Sequence, residues 1–214
     1  MPDDASLSTA RFDRDLVAQR VGKHAARTDG DRGDHNLNPG MTPTLGASGE
    51  LTPAAVLVAL IERPDGLTTL FTQRTNNLAN HPGQISFPGG HADPVDASLE
   101  DTALREAWEE VGLERELVRI VGRLDQYRTR TGFAVTPVVG LIKPPIKTCA
   151  DPYEVAEIFE VPLVFLMDTA NHKRHSCDYQ GASRHFYAIS YNNRFIWGAT
   201  AGMLINMFDI LSAR

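Results

Sequence analysis

The sequence predicts an α/β fold in which helices cover a mixed β-sheet. Three observations predict it. Apolar runs of strand length recur along the chain, some joined by tight turns and some by long connections. An amphipathic, acidic helix interrupts them at "TALREAWEEVGL", Thr102–Leu113. A second helix, almost wholly apolar, closes the chain. Hairpins and crossovers together make a mixed sheet, and two long helices each need a sheet face to bury against.

The elements follow in order. "RFDRDLVAQRVGKHAA" keeps Phe12, Leu16, Val17 and Val21 at helical spacing and predicts a short helix. "TDGDRGDHNLNPGMTPTLGASGE", Thr28–Glu50, is rich in Gly, Pro, Asp and Asn and reads as a long loop. Residues 1–50 are therefore an N-terminal helix and Gly/Pro-rich extension, and residues 51–214 form the domain. Every motif lies downstream of residue 50, so the extension is expected to be dispensable for the chemistry.

In the domain, "AAVLVALIER" reads as a buried strand, "PDG" as a tight turn and "LTTLFTQR" as the returning strand. "QISFPGG" is a short strand running into a glycine loop. The acidic helix follows, ended by Gly112. "LVRIVGRLD" and "FAVTPVVGLI" are two further strands. "EVAEIFEVPL" is a strand that leads into a short helix at "VFLMDTA". "HFYAISYNNRFIW" is a hairpin turning at Asn192-Asn193, and "GATAGMLINMFDILSA" is the closing helix.

Composition bounds the function. The chain of 214 residues suits one domain with appendages, and 42% apolar residues suffice for a normal core. A net charge of −6 argues against a nucleic-acid surface, while leaving room for a local basic pocket that binds a small anion. Cys149 and Cys177 form no CxxC pattern, so neither zinc nor a disulfide framework is indicated. The longest apolar run, Ala54–Ile61, is too short to span a membrane, and the N-terminus lacks a secretory pattern. The expectation is a cytoplasmic protein with no membrane partner.

The acidic helix carries the chemistry. At 100° per residue, Leu104, Ala107, Trp108 and Val111 share one arc expected to face the core. Glu106, Glu109 and Glu110 share another arc, on the opposite side. A solvated face is the ordinary explanation of such an arc. Two details resist it. Glu106 and Glu110 repel at i,i+4, by about 0.2–0.5 kcal/mol, and the negative charge gathers toward the helix C-terminus, against the dipole. A divalent cation reverses both penalties, and hard oxygen ligands suit Mg2+ or Mn2+. Arg105, four residues before Glu109, can brace that carboxylate, with Asp93, Asp96 and Asp101 as further partners. Arg74, Arg128 and Arg130 are candidates to meet phosphates, Arg74 foremost. His172 and His175 have zinc-like spacing without other ligands nearby and read as surface residues.

Upstream of the helix lies a glycine turn, giving "GGHADPVDASLEDTALREAWEEVGL". This string resembles the Nudix box, written GX5EX7REUXEEXGU. Arg105 to Leu113 match its second half, with alanine at the apolar position. Its first half departs: Asp96 stands where glutamate is usual, and eight residues rather than seven separate it from Arg105. "LFTQRTNNLANHPGQISFPGG", Leu70–Gly90, resembles the signature of the coenzyme A pyrophosphatase branch. So do the longer box, "TGFAVTPVVG", "EIFEVPL" and "FIWGATAGML". Ala79 departs from the arginine that this branch usually carries.

The resemblance implies an α/β/α sandwich of Nudix type and Mg2+- or Mn2+-dependent hydrolysis of the diphosphate of coenzyme A or its derivatives, giving 3′,5′-ADP and 4′-phosphopantetheine. It implies metal binding by Glu106, Glu109, Glu110 and the Gly90 carbonyl. Glu106 is either a ligand or the base, and Arg105 and Glu109 belong to the same machinery. Arg74, His81 and Gly89 are the expected substrate contacts, and Glu154 or Glu157 a further acid. The alternatives are a Nudix enzyme acting on a dinucleotide or nucleotide sugar, and a non-catalytic Nudix-like binding domain.

Overall fold

The computed structural model describes residues 12–29, 32–46, 48–77, 82–179 and 181–213. Helix α1 (Arg14–Lys23) begins where the Asp13 carboxylate accepts a hydrogen bond from the Leu16 amide. It does not stand off from the rest of the chain. Phe12, Val17 and Val21 are buried in the same core as the central strands. The loop read over Thr28–Glu50 contains strand β1 (Arg32–Gly33) and a 3-10 turn at Asp34–Asn36, and its other described residues form no helix or strand.

The central strand is β2 (Thr52–Arg63), and β3 (Gly66–Arg74) returns antiparallel beside it. The pleat sends alternate residues of β2 to opposite faces. Ala55, Leu57, Ala59 and Ile61 enter one core cluster, and Ala54, Val58 and Leu60 enter the other. "QISFPGG" splits into β4 (Ile85–Ser86), paired with β3, and β5 (Gly89–His91), paired with β2.

Helix α2 (Leu99–Val111) is capped by Ser98, whose Oγ accepts from the Asp101 amide. It stops at Gly112, which takes the left-handed conformation with φ 65°. Strands β6 (Val118–Arg123), β7 (Tyr127–Arg128) and β8 (Phe133–Ile142) follow. Strand β8 runs parallel to β2, which makes the sheet mixed. Strand β9 (Val155–Pro162) pairs with β3 and passes into the short helix α3 (Leu163–Leu166). Strands β10 (Lys173–Tyr179), β11 (Ala182–Tyr191) and β12 (Arg194–Trp197) form a separate antiparallel sheet, and α4 (Ala199–Ser212) ends the described chain.

Among the described residues, nine strands pair into the larger sheet along the path β1-β7-β8-β2-β3-β4, with β5, β6 and β9 joined to β2, β8 and β3. Helix α2 covers one face through Ala103, Leu104, Ala107 and Val111. Helices α1, α3 and α4 cover the other through Val17, Leu166, Leu204 and Met207. This is the expected α/β/α sandwich on a mixed sheet. Asn192 and Asn193, at φ 45° and 63°, turn the β11–β12 hairpin where the sequence placed it. Strand β10 and the β1–β7 pair carry no periodic signal and were not foreseen. No helix among the described residues is long and apolar enough to cross a membrane.

One expectation for α2 is corrected. Trp108, assigned to the core face, is 55% exposed, and Glu110, assigned to the opposite face, is only 6% exposed. The helix is rolled so that Ala103, wholly buried, points at the sheet. Glu110 lies seven residues on, about 20° away around the axis, and is carried inward with it. Small residues on both sides, Ala103 and Ala107 against Ala55 and Ala59, set this orientation.

Candidate active site

The middle of α2 meets the Gly89-Gly90 turn, which is held in place because β5 is stitched to β2. Gly89 pairs with Val56 and Gly90 with Ala55, and the Leu57 amide bonds the Pro88 carbonyl at 2.8 Å. Space requires glycine at Gly89, and at Gly90 it leaves room for a neighbouring side chain. A Cβ on Gly89 would lie 2.4 Å from the Ala55 carbonyl oxygen, and one on Gly90 would lie 2.6 Å from the Glu106 carboxylate. The second contact shows which way the site opens: the Glu106 carboxylate sits directly against Gly90.

Arg105 organises the carboxylates around it. Its Nη1 donates to Glu106 Oε1 and to Glu109 Oε2, both at 2.9 Å. Its Nε and Nη2 each donate to Asp96 at 3.0 Å, and Nη2 also reaches the His91 carbonyl at 3.0 Å. Of the three aspartates expected as partners, Asp96 is the one used. Asp101 pairs with Arg115, and Asp93 accepts from the Val95 amide. Asp96 also accepts from Thr102 Oγ1 and the Asp93 amide. The Arg105 hydrogen bonds hold its carboxyl far below the usual carboxylate range, against the opposing effect of burial. The unusual box residue is thus fully engaged, across the one-residue-longer loop. The His91 carbonyl was not foreseen, because a backbone acceptor leaves no mark in the sequence.

Glu106 and Glu110 make the electrostatic centre. Burial pushes the Glu106 carboxyl up, and the Arg105 hydrogen bond opposes it; the charges of Glu109 and Glu154 add to the rise. Glu110 is pushed up to about 8, first by burial and next by the charge of Glu106. Arg74 and a hydrogen bond from the Gly89 backbone oppose that rise, and Glu154 adds to it. Glu110 Oε2 is buried with no hydrogen-bond partner, as is Arg74 Nε.

The expected residues divide. Arg105, Glu106, Glu109, Glu110, Gly89, Gly90, Arg74 and Glu154 come to one place. Glu157 is engaged elsewhere: its carboxylate bonds Arg194, whose guanidinium lies 4.4 Å over the Phe159 ring. His81 and Ala79 lie outside the described residues.

A buried acid cluster with an orphaned oxygen needs a proton or a cation. The donor set suits a hard divalent ion: carboxylate oxygens, a free Glu110 oxygen and a glycine turn open to close approach. Among the described residues no three acidic, His or Cys side chains stand close enough to cage an ion unaided. Arg105 draws Glu106 and Glu109 toward itself. Mg2+ is held by one or two carboxylates with waters and substrate phosphate, so no protein cage is required and the residues fit.

Comparison with known proteins agrees with this geometry. The NUDIX domain profile matches residues 51–172. The Nudix hydrolases NudL of Yersinia pestis (strain Pestoides F) and Yersinia pseudotuberculosis serotype O:1b (strain IP 31758), both described as uncharacterised, are each 41% identical over 159 residues, spanning 74% of this chain and 79% of theirs. Among solved structures, the MutT protein from Methanosarcina mazei Go1 is 27% identical with TM-score 0.44, covering 55% of this chain and 83% of that one. A C. elegans Ap4A hydrolase in a binary complex is 21% identical with TM-score 0.45, covering 53% and 81%. Fold and site together define a hydrolase acting on diphosphate bonds. The chain belongs to the Nudix family. Nudix hydrolases generally use divalent metal ions and act on small-molecule diphosphates.

Proposed function

We propose that this enzyme hydrolyses the diphosphate of coenzyme A or its derivatives, releasing 3′,5′-ADP and 4′-phosphopantetheine or its acyl form. The observation that carries the reaction is the Glu106–Glu110–Glu154 cluster closed against Gly89-Gly90, with an unpartnered Glu110 oxygen inside it. Mg2+ or Mn2+ held by Glu106, Glu109, Glu110 and the Gly90 carbonyl would neutralise phosphate charge and lower the pKa of the attacking water. Arg105 fixes Glu106 and Glu109 in position while Asp96 anchors Arg105. Glu106 is the residue against the turn and takes the proton from water, or serves as ligand while Glu154 assists from the rim. Arg74, at the end of β3, is a cation whose charge acts on Glu110 and whose Nε has no partner, and it gathers the substrate phosphates. Gly89 and His81 complete the substrate contacts.

The choice of coenzyme A rests on the Leu70–Gly90 signature, which contains Arg74, His81 and Gly89. Ala79, in place of the usual arginine, supports the second reading: a dinucleotide or nucleotide sugar. A panel of coenzyme A, dephospho-coenzyme A, NADH and a nucleotide sugar with Mg2+ or Mn2+ tests it, with products identified chromatographically. Release of 3′,5′-ADP from coenzyme A is expected. Brisk cleavage of the others with coenzyme A untouched overturns the substrate and leaves the hydrolase. No cleavage of any member points to a binding domain.

A further inference from the structure

We infer that the pocket between Arg128, Arg130 and His35 is a subsite for a second phosphate group of the substrate, a phosphomonoester remote from the diphosphate that is cleaved. This deepens the function proposed above and rests on it.

The pocket has a volume of about 150 Å3 and is bordered by the Asp34–Pro43 segment on one side and Arg128–Arg130 on the other. Arg128 is half-buried, its Nε is buried without a hydrogen-bond partner, and no carboxylate among the described residues pairs with it. Other arginines are differently placed. Arg63, Arg105, Arg115 and Arg123 each grip an acid. Asp34 borders the pocket, but both of its oxygens are occupied: Oδ1 accepts from Tyr127 Oη at 2.9 Å and Oδ2 from the Arg130 amide at 2.8 Å. A half-buried guanidinium with a buried, unpartnered donor is costly unless an anion satisfies it. The acidic net charge of the chain makes such a cation stand out further.

The sheet register places Arg128 on the side of the sheet that carries the catalytic turn. Arg128 is paired with Ala134, Ala134 with Pro53, and the Pro53 carbonyl with the Ala92 amide. Paired residues share a face, and residues two apart share it too. Pro53 therefore lies on the face of Ala55 and Leu57, which is the face under α2. Gly90, paired with Ala55, directs its Cβ position at Glu106 on that same face. Arg128 and the acid cluster consequently occupy one side of the sheet, three strand spacings or about 14 Å apart across the backbone. An arginine side chain shortens that gap to one a nucleoside can bridge. The Asp34–Pro43 wall is held in place by the Thr44 amide on the Arg130 carbonyl at 2.8 Å and by β1 against β7. Residues upstream of the catalytic motifs thereby contribute to substrate choice.

The test compares ligands that differ by one phosphomonoester. Calorimetric titration of the metal-free full-length protein with 3′,5′-ADP and with 5′-AMP is expected to show tighter binding of 3′,5′-ADP, by about tenfold to a hundredfold. In Arg128→Gln that preference falls toward unity, and Arg128→Lys retains part of it. With metal, the ratio of kcat/KM for coenzyme A over dephospho-coenzyme A falls in the same order, mainly through KM. Circular dichroism confirms that each variant is folded, and the Lys variant carries the test if the Gln variant is not. Equal binding of the two ligands by the wild type, no binding of 3′,5′-ADP, or a preference that survives Arg128→Gln overturns the subsite. If 3′,5′-ADP binds in an Arg128-dependent way while coenzyme A is not cleaved, the subsite stands and the proposed reaction falls. If coenzyme A is cleaved with no Arg128 dependence, the reverse holds.

Discussion

Arg105 holds Asp96 through two parallel hydrogen bonds of 3.0 Å, from Nε to Oδ1 and from Nη2 to Oδ2. The pair joins the loop after the glycine turn to the middle of α2, and the same guanidinium reaches both Glu106 and Glu109. The positions of the Glu106 and Glu109 carboxylates therefore depend on an aspartate that touches neither of them.

Asp96→Asn removes the charge from this brace. Arg105 keeps Glu106 and Glu109, and the pair is partly open to solvent, so the expected loss of stability at pH 7 is about 1–2 kcal/mol. Activity should fall further than stability suggests, because Glu106 loses its positioning. The folded-state pKa of Asp96 is depressed, so its contribution is present above the unfolded value near 4 and is lost as pH falls below it. Urea midpoints of wild type and variant should differ at pH 7 and converge toward pH 2.5. A constant gap across that range would remove the ion pair as the cause.

Glu110 predicts the opposite pH dependence in metal-free buffer. Its carboxyl is raised to about 8, so the folded state binds a proton that the unfolded state has lost from about pH 4.5 upward. Stability should decline as pH rises through that window, and Glu110→Gln should flatten the decline. Thermal melts in chelator at pH 5 and pH 8 measure this. Adding Mg2+ should raise the wild-type Tm most at pH 8 and raise the variant's little. With metal, both Glu110→Gln and Glu109→Gln should lower the rate by about a hundredfold or more. Near-full rate in both variants would rule out this metal site.

The two adjacent glycines should respond differently to the same methyl group. Gly89→Ala meets the Ala55 backbone at 2.4 Å and a φ of 156°, so it should destabilise the fold, by about 1–3 kcal/mol. Gly90→Ala meets only the tip of Glu106, which can rotate away. Its Tm should stay close to wild type while kcat falls at least about tenfold, because the carboxylate has moved. Equal Tm losses, or a fully active Gly90→Ala, would contradict this division.

Starting the chain at Leu51 should leave the motifs intact but weaken the fold. It removes Phe12, Val17 and Val21 from the core, each worth about 1.5–3 kcal/mol of burial, and exposes the face of β6 that α1 covers. The truncated protein should melt earlier and aggregate on heating, as scattering during a melt would show. A truncation with unchanged Tm would mean α1 contributes no net stability.

The local devices were legible in the sequence because each is decided by neighbours in the chain. Gly112 ends α2, the Asn192-Asn193 pair turns a hairpin, and the apolar runs of β2, β8 and β9 fall where their composition places them. The family was suggested by the resemblance of the Leu70–Gly90 and Gly90–Leu113 strings to known motifs, and the same strings nominated its carboxylates. Spacing could not decide which side of α2 faces the sheet. Tertiary packing of Ala103 and Ala107 on Ala55 and Ala59 decided it, turning Trp108 outward and Glu110 inward. Nor could it choose between Glu154 and Glu157: β9 and β12 come together and Arg194 takes Glu157, while Glu154 is left beside the cluster. The β1–β7 pair likewise joins residues nearly a hundred positions apart, and neither strand is long enough to carry a period. The sequence by itself determined which groups are chemically present and which local shapes they take. The tertiary structure decided burial, pairing and charge coupling, because these depend on distances between segments that local propensity does not encode.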